Sequence, residues 1–116
     1  MPELVLGPML RYVSTHEATV WVQTSDACEV EILGHRARTF CAGNHHYALV
    51  VASGMEPGSS VEYEVRLDGE RCWPEADSGF PPSRIRTLPL DGPLTIAWGS
   101  CRVTAPHEPP YTLDAE

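Results

Sequence analysis

The stretch "CEVEIL", Cys28 to Leu33, sets Cys28, Val30 and Ile32 in alternation with Glu29 and Glu31. Side chains two apart share one face of a strand, so the run predicts an extended segment with an apolar side packed and an acidic side in water. The same period of two spreads outward from it. "ATVWVQT" (18–24) sets Val20 and Val22 against Thr19, Trp21 and Gln23. "SVEYEVRL" (60–67) sets Val61, Tyr63, Val65 and Leu67 against Glu62, Glu64 and Arg66. "HHYALVVAS" (45–53) gives a longer strand with Tyr47, Leu49 and Val51 in phase, and "RARTFCA" (36–42) a weaker alternation around Ala37, Thr39 and Cys41. A last strand is expected around Arg84 to Leu88, after the irregular "WPEADSGFPPS".

Turn chemistry separates these runs: Gly34, Gly43-Asn44, "EPGSS" and Asp68-Gly69. Asp68-Gly69 suits the positive φ angles of a tight hairpin between "EVRL" and "ERCW". No window of ten residues carries a helical apolar stripe free of glycine or proline. Nine glycines and eleven prolines in 116 residues favour many short elements over a few long helices. Strands with one polar face suit antiparallel sheets, and six or seven of them in about ninety residues predict an all-β antiparallel sandwich, residues 1–88.

Beyond Leu88 the pattern changes. "PLDGP" (89–93) reads as a short rigid linker, because Pro89 and Pro93 cannot donate to a ladder. "LTIAW" has Leu94, Ile96 and Trp98 on one face and small Thr95 and Ala97 on the other, as in a strand covered on both sides. It breaks into Gly99, Ser100, Cys101 and Arg102. Residues 94–116 are therefore expected to be the first strand and extended tail of something other than the sandwich.

Composition excludes several functions. Sixteen acidic against eight basic residues give a formal charge of −8, which repels phosphate backbones, so no nucleic-acid partner is expected. The close pairs Arg36/Arg38 and Arg84/Arg86 read as solvated strand positions. No run has the order of a signal peptide or the length of a membrane span, so the expectation is a cytoplasmic chain without a membrane partner. Cys28, Cys41, Cys72 and Cys101 form no C-x-x-C pair and read as free thiols, three of them buried and inert; in an exported chain, three pairings would be open. His45 and His46, adjacent on a strand, point to opposite faces and suit no common metal. Trp21 and Trp73 are assigned to the sandwich core or its edge.

Three stretches carry a resemblance. "GPMLRYVSTHEATVWVQTS" (7–25) resembles the opening of the fibronectin III-like, immunoglobulin-like β-sandwich of about seven strands that precedes the catalytic domain in alkaline phosphatase D-type (PhoD-like) metallophosphoesterases. "GMEPGSSVEYEVRLDG" (54–69) is similar to a later strand of that domain, and "LTIAWGSCR" (94–102) looks like the first strand of the catalytic domain. One departure stands out: the corner tyrosine of such sandwiches falls here on Val61, with Tyr63 two residues on.

The resemblance implies a metal-dependent phosphatase or phosphodiesterase with iron and calcium, in which Cys101 helps hold the iron. Metal there activates an oxygen nucleophile and neutralises phosphoryl charge. Arg102 forks onto a phosphate or serves as a structural ion-pair partner; His107 and Tyr111 lie in the extended "APHEPPYTL". A metal site needs several further carboxylate, imidazole or phenolate ligands at converging positions, and the fifteen residues after Cys101 are too few to bring them together, so no catalytic residue is expected in this chain and it needs no cofactor of its own. The leading expectation is an inert amino-terminal module packed beside a catalytic domain. The alternatives are a self-sufficient fibronectin III-like interaction module and a homodimer paired through the exposed carboxy-terminal strand.

Overall fold

A computed structural model describes residues 1–100 of the chain. It contains ten strands: β1 (Leu4–Val13), β2 (Ala18–Thr24), β3 (Glu29–Ile32), β4 (His35–Arg38), β5 (Phe40–Ala42), β6 (His45–Ala52), β7 (Ser60–Glu62), β8 (Val65–Leu67), β9 (Glu70–Trp73) and β10 (Arg84–Arg86). One sheet has the order β1-β2-β6-β5, another β4-β3-β8-β9, and β10 pairs with β7. Every pairing is antiparallel. No helix occurs among the described residues, and so none long and apolar enough to cross a membrane.

The two four-stranded sheets share one core, an arrangement consistent with a β-sandwich. Val20, Val22, Ala48 and Val50 of the first sheet cluster with Val30, Ile32, Val65 and Leu67 of the second, and Tyr63 and Ile85 join them. Each large apolar side chain so buried contributes about 1.5–3 kcal/mol. The alternation of "CEVEIL" is realised as expected, with Cys28, Val30 and Ile32 buried and Glu29 and Glu31 towards water.

Three two-residue turns join neighbours, each with both φ angles positive: Leu33-Gly34 (51° and 79°), Gly43-Asn44 (56° and 66°) and Asp68-Gly69 (49° and 86°). Such turns match the twist of the strands they connect. Asp68 also binds sideways, its Oδ1 accepting from the Glu29 amide at 2.9 Å and its own amide donating to the Glu29 carbonyl at 2.9 Å. In β1, Gly7 has φ +93°, and a Cβ there would stand 2.8 Å from the Trp21 carbonyl oxygen. Glycine is required at that irregularity of the β1–β2 ladder.

Several expectations are corrected. The run 36–42 is two strands, because the chain leaves one sheet after Arg38 and enters the other at Phe40. Thr39 holds the crossing: its amide donates to the Cys28 carbonyl and its Oγ1 accepts from the Cys28 amide, both at 3.0 Å. The run 60–67 divides likewise, β7 pairing with β10 and β8 with β3 and β9. In β6 the core side is Ala48, Val50 and Ala52, not Tyr47, Leu49 and Val51, because β6 pairs in register with the buried Ala18, Val20 and Val22 of β2. Three buried cysteines were expected; of those described, Cys28 alone is fully buried, Cys72 is half-buried and Cys41 exposed.

Thr87 organises the corner where a tyrosine was missing. Its Oγ1 donates to the Glu56 carbonyl at 2.6 Å and accepts from the Ser59 amide at 2.9 Å. The Leu88 carbonyl accepts from the Gly58 amide, and the Leu88 amide donates to the Ser14 carbonyl, both at 3.0 Å. From Leu94 to Ser100 the chain forms no strand, and Leu94, Ile96 and Trp98 are 53%, 72% and 87% exposed. That apolar run finds no ladder partner among the described residues.

Candidate functional site

Cys101 and Arg102, the residues assigned to metal and phosphate, lie outside the described residues, as do His107 and Tyr111. Gly99 and Ser100 are described and exposed, at the end of the unpaired run. Among the described residues no three His, Cys, Asp or Glu side chains come together as a metal site.

The larger recess, about 510 Å³, is lined by Glu31, Glu62, Tyr63, Glu64, Arg66 and Arg71 among others. Its charges are already satisfied by one another. Arg66 Nη2 lies 3.2 Å from Glu64 Oε2 and Arg71 Nε 3.9 Å from the same oxygen. Arg36 Nε donates to Glu31 Oε1 at 2.9 Å, and Arg84 Nη2 to Glu62 Oε1 at 2.8 Å. Arginines committed to carboxylates offer little to a phosphate, and exposed pairs of this kind contribute about 0–1 kcal/mol each. In the close arginine pairs of the sequence, Arg36 and Arg84 are thus surface ion-pair partners, and Arg38 and Arg86 are exposed strand positions.

A smaller recess of about 380 Å³ lies between the amino terminus and β9, lined by Leu4, Val5, Gly7, Cys72, Trp73 and Glu75 among others. The Cys72 thiol donates to the Val65 carbonyl at 3.4 Å, and burial, followed by the neighbouring Cys28, pushes its pKa up. Burial likewise raises the Cys28 thiol, opposed by a hydrogen bond from Thr24. A thiol that resists ionisation is a poor nucleophile and a poor ligand. Trp73 packs against the core, and its Nε1 donates to Ser83 Oγ at 2.9 Å.

Three of the described histidines engage groups of the fold. His35 Nε2 accepts from the Ser53 amide at 3.3 Å, His16 Nδ1 donates to the Met55 carbonyl at 3.1 Å, and His45 Nδ1 sits 3.4 Å from Gln23 Nε2. Tyr63 is buried beside Ser83, and burial raises its phenol pKa against the lowering effect of that neighbour.

The most distinctive surface is the outer face of the β1-β2-β6-β5 sheet. Register places Leu6, Gln23, Tyr47 and Phe40 in one row across it, Met9, Trp21 and Leu49 in the next, and Tyr12, Thr19 and Val51 in the third. Trp21 stacks on Tyr47 with ring centroids 5.7 Å apart, and Phe40 lies 6.0 Å from Tyr47. None of these ten positions carries a charge, whereas the outer face of the other sheet presents Glu29, Glu31, Arg36, Arg38 and Arg66. The sequence carried a signal for this surface: "HHYALVVA" has no charged residue on either side of its alternation.

A family model described as a domain of unknown function (DUF7800) matches residues 1–85. No curated protein and no solved structure matches the chain.

Proposed function

The chain belongs to the DUF7800 family, and from that premise we propose that its sandwich is a non-catalytic, fibronectin III-like module that packs beside a metal-dependent phosphatase or phosphodiesterase domain of the alkaline phosphatase D type. The observation that carries the reading is the run Leu94 to Trp98. It follows a sandwich whose last internal bonds among the described residues are at Leu88, it is apolar, and among those residues it is exposed and unpaired. A strand of that character fits a sheet supplied by another domain. The resemblance of "WGSCR" to the start of the catalytic domain in alkaline phosphatase D-type enzymes suggests which one. In that setting Cys101 is a ligand to iron and Arg102 a phosphate contact; calcium is the second implied metal. The carboxylate-paired Arg36, Arg66, Arg71 and Arg84 and the ionisation-resistant thiols of Cys28 and Cys72 support a module that is inert by itself.

The test is hydrolysis of p-nitrophenyl phosphate and bis-p-nitrophenyl phosphate by the chain, with iron and calcium supplied. No turnover above the metal-only blank is expected. Turnover that copurifies with the monomer and disappears in Cys101→Ser would overturn the reading. Removal of residues 89–116 distinguishes the rival, a self-sufficient interaction module that takes Leu94–Trp98 into its own sheet. The severed module keeps its urea midpoint, within about 0.5 kcal/mol, whereas the self-sufficient one loses stability.

A further inference from the structure

The outer face of the β1-β2-β6-β5 sheet is not built for water. Leu6, Met9, Tyr12, Phe40, Leu49 and Val51 are each 46–55% exposed, with Trp21 and Tyr47 half-buried among them. They leave on the order of 600 Å² of side chain in solvent, at the upper end of the largest patch on a typical monomer. That area approaches the roughly 800 Å² per partner of a standard specific interface. Four strands about 4.8 Å apart make it a platform about 15 Å wide.

We propose that this face is where two copies of the chain dock, sheet against sheet, across a two-fold axis. A two-fold contact requires a patch complementary to itself, and an uncharged apolar platform meets that requirement without matching opposite charges. Charge confines a second copy to this face. Two chains of −8 repel, and they approach closely only through a surface from which carboxylates are absent. Here the carboxylates Glu29 and Glu31 lie on the opposite sheet, and none stands at the ten positions of the apolar face. The charge that reaches the face is Arg11, whose Nη1 lies 3.5 Å from Met9 Sδ. An acidic chain is repelled by anionic lipid, and one arginine is no polybasic rim, so a membrane surface is the poorer fit. Stacked sheets lie about 10 Å apart, the spacing at which Trp21, Tyr47 and Leu49 interdigitate with their counterparts.

Sedimentation velocity on the full chain between about 1 and about 100 μM, the range in which patches of this size associate measurably, reads the outcome. The expected result is a monomer–dimer equilibrium. Leu49→Arg and, separately, Val51→Arg weaken it by about 100-fold or more, since each buries an unpaired charge at the contact. Both positions face solvent in the monomer, so the urea midpoint of dilute protein stays unchanged. Glu70→Asp, on the opposite sheet and with the charge kept at −8, leaves association as it was. A monomer at every concentration overturns the proposal. So does a dimer that survives both arginine variants, or one abolished by removing residues 89–116, which would place the contact at Leu94–Trp98.

Discussion

The Thr87 hydroxyl donates to the Glu56 carbonyl at 2.6 Å and so fastens the end of the last strand to the Pro-Gly turn that begins β7. The same oxygen accepts from the Ser59 amide, so one buried side chain satisfies both a donor and an acceptor of the turn. Thr87→Val keeps the shape but strands the Ser59 amide, while the Glu56 carbonyl keeps the Ser59 hydroxyl at 2.7 Å. Leaving a buried polar group unpaired costs about 1–3 kcal/mol, and Thr87→Ser should recover most of it. Urea midpoints of the three proteins check this; equal midpoints for Thr87→Val and the parent would show that the corner does not depend on the bond.

The phase of β6 makes neighbouring residues behave oppositely. Val50 is fully buried and Leu49 is 46% exposed. Val50→Ala should cost about 2 kcal/mol through the cavity it opens. Leu49→Ala, although it removes more atoms, should cost under about 0.5 kcal/mol in dilute protein. The reverse order of costs would put the strand in the opposite phase.

Leu33 adopts φ 51° in the β3–β4 turn, a conformation that suits asparagine and glycine better than leucine. Asn-Gly is the preferred pair for such a two-residue hairpin. Leu33→Asn should therefore stabilise the chain by about 0.5–1 kcal/mol, a rise of several degrees in Tm for a domain of this size. A fall in Tm would mean that contacts of the leucine side chain outweigh the backbone strain.

Cys28, Cys72 and Tyr63 all have pKa values raised by burial. At alkaline pH the folded chain keeps protons that the unfolded chain has lost, so stability falls as pH rises. The contribution is complete below the ordinary thiol value of about 8.5 and is lost as pH climbs through the raised, folded-state values. The urea midpoint should be level between about pH 7 and 8 and decline beyond about pH 9, less steeply in Cys28→Val. A midpoint flat to about pH 10 would contradict buried, protonated thiols.

Much of the fold was legible because the informative runs carry charges on one side. "CEVEIL" and "SVEYEVRL" place carboxylates wherever water must be, and their buried partners follow directly. The hairpin at Asp68-Gly69 was legible because few residue pairs tolerate positive φ at both positions. The phase of "HHYALVVAS" was not: both its faces are apolar, and large Tyr47 and Leu49 outweigh small Ala48 and Ala52 in any reading of the sequence alone. Register against Ala18, Val20 and Val22 decides it, and register is a property of two strands. The divisions at Thr39 and after Glu62 were hidden for the same reason, since an alternation continues unchanged when a strand exchanges one partner for another. Of the candidate site, the motif at Cys101 and Arg102 was legible from residue types; the apolar sheet face needed the ladder that assembles it from four separate stretches.

The crossing at Thr39 has a consequence for how the domain comes apart. The chain runs β3 and β4 in one sheet, passes to β5 and β6 in the other, and returns by way of β7 to β8. Neither layer is a continuous piece of chain, so neither can peel away while the other stays folded. The paired bonds between Thr39 and Cys28 stand at the stitch. Slow amide-proton exchange in β2 and in β3 should thus occur through one shared global opening, with the two sheets acting as a single cooperative unit.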